Sequence, residues 1–272
     1  KLNIEKDLER TNLNLLNQKE IEKTIEKFSP ETIFNLSAQS SVGKSFSQPQ
    51  DTFRSISFST QNILEACRAT SFENSIFFAG SSEIYGSCEN LITLENPKKP
   101  VSPYGIAKTN SYELVKLYRE VYNLNCKTGI LFNHESILRS DQFVFSKIIQ
   151  SAIKSSIDPS YKVNMGNLNI ERDWGWAEDY IKAIQIIANS ENNDDYLICS
   201  GKGYSLKSIA KKTFSRFNLN WEDHIQINSK FFRPTDIKKS IGNPGKLYRD
   251  HKWQSSTDID QIITKLINHF SK

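Results

Sequence analysis

The chain is poor in everything that would tie it to a membrane, a metal or an oxidising compartment. No stretch approaches the roughly 20 apolar residues that a membrane-spanning helix requires, and the opening residues, KLNIEKDLER, hold no apolar signal core. A cytoplasmic compartment and no membrane partner are the expectation. Four cysteines, Cys67, Cys88, Cys126 and Cys199, lie far apart, with no Cys-x-x-Cys pair and no histidine at zinc spacing. They read as reduced thiols, and no metal is expected. The excess of positive charge is only +4, and Lys and Glu alternate instead of gathering into a basic face, so nucleic acid is not an expected partner. Methionine is reduced to Met165, with none at the start, and no glycine occurs before Gly43. Neither an internal repeat nor a low-complexity linker is present.

What remains is a regular alternation. With 272 residues and 38% hydrophobic content, the chain can bury the core of one large domain or of two unequal ones. TNLNLL reads as a short strand and NQKEIEKTIEKF as a helix. TIFNLSA, NSIFFAGS and CKTGILFN follow as strands, separated by the helical stretches DTFRSISFSTQNILEACRAT and SPYGIAKTNSYELVKLYREVY. Short, continuously apolar strands between helices predict an α/β fold, a parallel sheet covered on both faces. In such a sheet ligands bind outside the carboxyl ends of the strands, which is where SAQSS, GSSE and NHES fall. Beyond about Asn133 the pattern loosens. FVFSKIIQSAIKS and SLKSIAKKTFSRF look helical, DDYLICSG looks like a strand, and FFRPTDIKKSIGNPGKL reads as a loop. The expected division is residues 1–135 as the sheet domain and 136–272 as an α+β C-terminal region, with some of its segments returning to the first domain.

Two spots carry potential chemistry. Glu83 stands just past the apolar run of FFAGSSEIYG, where an acid has no structural reason beyond a turn or a helix cap. Tyr104 and Lys108, four apart on a predicted helix, share one face; a neighbouring ammonium favours phenolate over phenol and suits the tyrosine to proton transfer. Spacing alone does not select this pair, since Tyr112 with Lys116 and Tyr248 with Lys252 repeat it. The helix start at SP, about twenty residues after GSSE, sets Tyr104 apart.

In order along nearly the whole chain, GSSEIYG, SPYGIAK, GILFNHES, GNLNIERDWGWAEDY and FRPTD resemble the extended short-chain dehydrogenase/reductases that act on nucleotide sugars, and among them the GDP-mannose 4,6-dehydratases. The resemblance implies a Rossmann-like doubly wound sheet, tightly bound NADP, a GDP-sugar substrate and a homo-oligomer, dimer or tetramer. It also implies a reaction in which the sugar is oxidised at C4, water is eliminated across C5 and C6, and the hydride returns to C6. By motif, Tyr104 would be the base for the C4 hydroxyl and Lys108 its partner, holding the nicotinamide ribose. Ser81 would bond the C4 oxygen, and Glu83 would remove the C5 proton. Ala38, Gln39, Ser40 and His134 would lie along the cofactor. Ser82, Asn133, Arg139, Lys147, Arg172, Arg233 and Asp236 would hold the substrate, guanidinium forks suiting the diphosphate.

The sequence also departs from that family. Its members open with a strand and a Gly-x-x-Gly-x-x-Gly turn that admits the cofactor pyrophosphate to a helix N-terminus. By the match, Lys1 to Leu16 begin near the second or third strand, so the expectation is an N-terminally truncated sheet lacking its first strand and glycine loop, and a chain that as written neither retains NADP nor turns over. Leu138 replaces the first of two arginines, Ser140 a glycine, Ser41 a histidine and Asp236 a glutamate. Two other readings stay open: a related epimerase, reductase or thymidine-diphosphoglucose dehydratase, and a non-catalytic fragment that only packs or oligomerises.

Overall fold

In the computed structural model, residues 7–271 are described; the first six residues of the N-terminal stretch lie outside them. The described chain forms two compact units that interleave along the sequence. The first gathers residues 7–80, Ser102–Thr128 and Ile187–Asp194, and the second holds Ser81–Val101, Gly129–Ile186 and the segment from Asp195 onward.

In the first unit, α1 (Gln18–Phe28) buries Ile21 and Ile25 one turn apart and stops at Ser29, which takes a left-handed conformation. The stretch TNLNLL before it is not the expected strand. The Asn14 side chain accepts the Leu16 N–H, and the Asn14 N–H turns to Glu20, so a local asparagine turn takes the backbone groups a strand would need. There follow β1 (Thr32–Asn35), α2 (Val42–Ser47), α3 (Pro49–Phe53), a π-helical turn over Arg54–Phe58, and α4 (Ser59–Ala69). Strand β2 (Ser75–Ser81) pairs in parallel with β1, Thr32 opposite Ser75, and β3 (Cys126–Leu131) lies on its other side. Between them runs α5 (Pro103–Tyr122). Its start is well specified: Pro103 sits at the first position, and the Ser102 hydroxyl accepts the Gly105 N–H at 3.0 Å. Asn123 ends it in a left-handed conformation. Ile25, Leu64, Phe72, Ile76, Val115 and Cys126 are among the residues that close the core. The parallel pairing expected from the alternation is present.

The second unit is built from shorter strands. A 3₁₀ turn over Ser82–Ile84 precedes β4 (Asn133–Glu135), α6 (Val144–Ile157), β5 (Val163–Met165), β6 (Glu171–Trp176) and α7 (Ala177–Ala188). Next come β7 (Tyr196–Ile198), β8 (Gly203–Ser205), α8 (Leu206–Ser215), β9 (Ile225–Ile227), β10 (Lys239–Ser240), α9 (Gly245–His251) and α10 (Ile259–Phe270). The end of β3 pairs in parallel with β7. Strand β6 takes β4 and β10 in parallel and β8 antiparallel, and β5 pairs in parallel with β9. The core joins Phe145, Ile149, Trp174, Trp176, Phe214 and Ile263. Asn133 and His134 follow the end of β3, as expected, and in addition form a short strand of their own, β4, that pairs with β6. The segment FFRPTDIKKSIGNPGKL is not all loop, since it contains β10 and the start of α9. No described helix is long and apolar enough to cross a membrane.

Candidate active site

The capped start of α5 places Tyr104 in its first turn and Lys108 one turn on, the Lys108 Nζ 5.9 Å from the centre of the Tyr104 ring. Both belong to the first unit. Tyr104 is buried and packs with Ile56, Ala107 and Ala38. Lys108 reaches across to β2 and donates to the Ala79 carbonyl at 2.8 Å. Burial alone lowers its ammonium to about 8, with no carboxylate acting on it. A cavity of about 10 Å³, room for roughly one water molecule, adjoins it, lined among others by Asn35, Ile56, Gly80 and Ser111. Gln39 is held by its own chain: its amide accepts the Ser41 N–H at 2.7 Å and donates to the Ser41 carbonyl and Thr52 hydroxyl. Ser40 is exposed.

In the second unit, the buried Ser81 hydroxyl accepts the Glu83 N–H at 3.3 Å and caps the 3₁₀ turn that carries Ser82 and Glu83. Gly86 completes the GSSEIYG stretch with φ +68°, and a side chain there would strike the Lys99 carbonyl. Burial raises the Glu83 carboxyl above its ordinary range, against the opposing pull of Arg172 and Arg233 and with the help of Asp236. These four residues, drawn from three separate stretches of chain, are thus electrostatic neighbours. Arg172, only 4% exposed on β6, pairs with Asp236 at 3.1 Å, and Arg233 approaches the same oxygen at 3.5 Å. Burial pulls the Arg172 guanidinium down, while Glu83 and Asp236 hold it up. Two guanidinium groups sharing one aspartate leave donor capacity for a further anion.

The remaining expected residues have other partners. Lys147 donates to the Asn164 carbonyl at 2.7 Å and lies over the Phe231 ring. Arg139 donates to the His134 carbonyl, approaches Glu135 at 3.3 Å and covers the Phe143 ring. Asn133 offers its carbonyl to the Tyr180 hydroxyl. Burial lowers His134 to about 4, so its ring is neutral at pH 7. Its Nδ1 lies 2.9 Å from the Phe132 carbonyl, which makes Nδ1 the protonated nitrogen and Nε2 an acceptor.

Two further acids lie outside the residues that the motifs single out. Glu135 is fully buried, and burial raises it to about 7 against the pull of Arg139. Asp173 is raised to about 6 by burial, although it accepts from Ser200 N–H and O–H and from the N–H groups of Gly201 and Gly242. Asp173 is an acid within the buried strand ERDWGW, a placement the sequence shows, whereas Glu135 ends the three-residue β4, which gives no such signal. The four cysteines are free, three of them buried, and the described residues contain no cluster of His, Cys, Asp and Glu that could hold a metal ion.

Known proteins resemble the chain along most of its length. The family described as GDP-mannose 4,6 dehydratase matches residues 1–266. GDP-mannose 4,6 dehydratase 1 of Arabidopsis thaliana is 31% identical over 252 residues, spanning 91% of this chain and 70% of that protein. GDP-mannose 4,6 dehydratase of Homo sapiens is 31% identical over 266 residues, spanning 90% and 72%. Among solved structures, Thermus thermophilus UDP-glucose 4-epimerase in complex with NAD superposes with a TM-score of 0.84 at 21% identity, covering 95% of this chain and 83% of that one. At that identity the likeness is one of fold.

Proposed function

The chain belongs to the GDP-mannose 4,6 dehydratase family, and from that premise we propose that it is a hydro-lyase converting GDP-mannose to its 4-keto-6-deoxy derivative with NADP. The observation that carries the reading is Glu83, a carboxylate raised by burial, set two residues after a buried serine and beside Arg172 and Arg233. Elimination needs a base separate from the one that serves the oxidation, and a carboxylate whose proton affinity burial raises is a stronger base than a free one.

In this reading Tyr104 takes the proton of the C4 hydroxyl, Lys108 favours its phenolate, and Ser81 donates to the C4 oxygen. Once C4 is a ketone, the C5 proton is acidic and passes to the Glu83 carboxylate, and the protonated Glu83 gives a proton to the C6 oxygen, which leaves as water. Arg172 and Arg233 receive the diphosphate, with Arg139, Lys147, Ser82, Asn133 and Asp236 as further substrate contacts. The cofactor supplies a hydride acceptor at C4 and a hydride donor at C6. Its nicotinamide end fits the residues present: the buried Lys108 ammonium donates to the Ala79 carbonyl and, among the described residues, is paired with no carboxylate, which leaves hydrogens for ribose hydroxyls, and Ala38, Gln39, Ser40 and His134 are the further contacts proposed. For the pyrophosphate, these 272 residues hold no glycine-rich turn, the first glycine being Gly43, and no residue is assigned to it.

We place the protein in the cytoplasm, in keeping with its free thiols, as a homo-oligomer. Ile106, Leu117 and Val121 leave apolar surface open along α5, at 47%, 47% and 58% exposure. Incubation of the protein containing this chain with GDP-mannose and NADP, followed by NMR of the sugar, is expected to show a 4-keto-6-deoxy product. A product that keeps its C6 hydroxyl overturns the reading.

A further inference from the structure

The helical stretch facing α5 in the first unit is interrupted. Between α3 and α4 the chain widens into a π-helical turn, Arg54–Phe58. Such turns are rare and occur mostly as single turns inside α-helices, frequently at functional sites. The sequence RSISF contains neither proline nor glycine, so the local chain does not demand the widening. The turn is bonded to the neighbouring helix, α5, in both directions. The buried Ser57 hydroxyl donates to the Ala107 carbonyl at 3.1 Å, and in the opposite direction the buried Ser111 hydroxyl donates to the Ile56 carbonyl at 3.2 Å. The Ile56 carbonyl also receives the hydroxyls of Ser59 at 3.2 Å and Thr60 at 2.7 Å. The Ile56 side chain, 2% exposed, packs on Tyr104 and Ala107, and the turn helps line the small cavity beside Lys108.

We propose that this π-turn is a positioning device for the working pair of α5, with Ser57 and Ser111 as its two positioning residues. Ala107 lies between Tyr104 and Lys108 in sequence, and Ser111 lies one turn beyond, so the two crossed bonds flank Lys108 directly and begin within one turn of Tyr104. They fix both the rotation of α5 about its axis and its travel along it, because a rotation or slide that kept one bond would break the other. The Lys108 bond to the Ala79 carbonyl depends on that register, since its long side chain spans from α5 to the end of β2. The inference rests on the reading of Tyr104 and Lys108 given above.

The test is competitive acetylation of lysines with acetic anhydride, read by peptide mass spectrometry on the protein containing this chain. Lys127, a buried lysine of the same unit bound to Ser75, Ala188 and Ser190, is the internal reference. In the double variant Ser57→Ala, Ser111→Ala, folded by circular dichroism, the Lys108-to-Lys127 labelling ratio is expected to rise about 10-fold, the scale of one or two buried hydrogen bonds. With GDP-mannose, kcat is expected to fall by a similar factor while KM holds, the alkaline limb of the pH profile to move with it, and Ser57→Thr, which keeps the hydroxyl, to stay close to wild type. An unchanged ratio in the folded double variant, or equal rises at Lys108 and Lys127, overturns the proposal. If the double variant does not fold, Ser111→Ala alone decides by the same ratio. Wild-type protein without turnover would count against the dehydratase reading, while the labelling ratio would still decide this one.

Discussion

His134 and Glu135 are neighbours on β4, and burial acts on the two in opposite senses. His134 is lowered from 6.5 to about 4, so the unfolded chain binds the extra proton between those values, and stability is lost as pH falls through that window. Glu135 is raised from 4.5 to about 7, so the folded chain binds the extra proton, and stability declines as pH rises from 4.5 to 7. Each effect is on the order of 3 kcal/mol, and across their shared range they oppose each other. The contributions of this pair are therefore expected to nearly cancel between pH 4.5 and 6.5, bounds set by the two ordinary values. In Glu135→Gln the opposing carboxyl is gone, and urea denaturation should show stability that rises with pH relative to the wild type over that range. His134→Asn should show the reverse difference. A Glu135→Gln variant with the wild-type pH dependence would contradict this account. At this scale the sequence is legible where a motif surrounds the residue, as for Glu83, Tyr104 and Lys108. It is not legible for Glu135, because burial and the approach of Arg139 are properties of the folded chain.

Among the elements, α5 is legible in the sequence from its first residue: Ser102 and Pro103 mark its start, and apolar residues recur along it. Its cap sets the first turn, the one that carries Tyr104. Ser102→Ala removes the acceptor for the Gly105 N–H and is expected to cost about 1 kcal/mol, seen as a lower urea midpoint with an unchanged slope. A loss below a few tenths of a kcal/mol would show that Pro103 and tertiary packing hold that turn without the cap. Elsewhere local pattern misleads. TNLNLL has the composition of a strand, yet the Asn14 turn takes its backbone. The π-turn is invisible in the sequence because RSISF continues the apolar period of the helix around it, and the hydroxyl bonds that join it to α5 link residues 50 and 55 positions apart. The short strands β4 and β10 are three and two residues long, too short for a period to register.

For the whole molecule, the alternation of strands and helices discloses a parallel α/β fold, and five ordered motifs disclose the family, because both are written in consecutive residues. The grouping of Arg172, Arg233 and Asp236 around Glu83 is not, since it joins three separate stretches of chain. That grouping underlies the central claim, that Glu83 is the base for the C5 proton. The most direct measurement is NMR of the product formed from GDP-mannose and NADP in D₂O by the wild type and by Glu83→Gln. The account predicts a 4-keto-6-deoxy sugar with deuterium at C5 from the wild type, and product formation at least about 100-fold slower in Glu83→Gln. A wild-type product that keeps its C5 protium, or a Glu83→Gln variant that matches the wild-type rate, would contradict it.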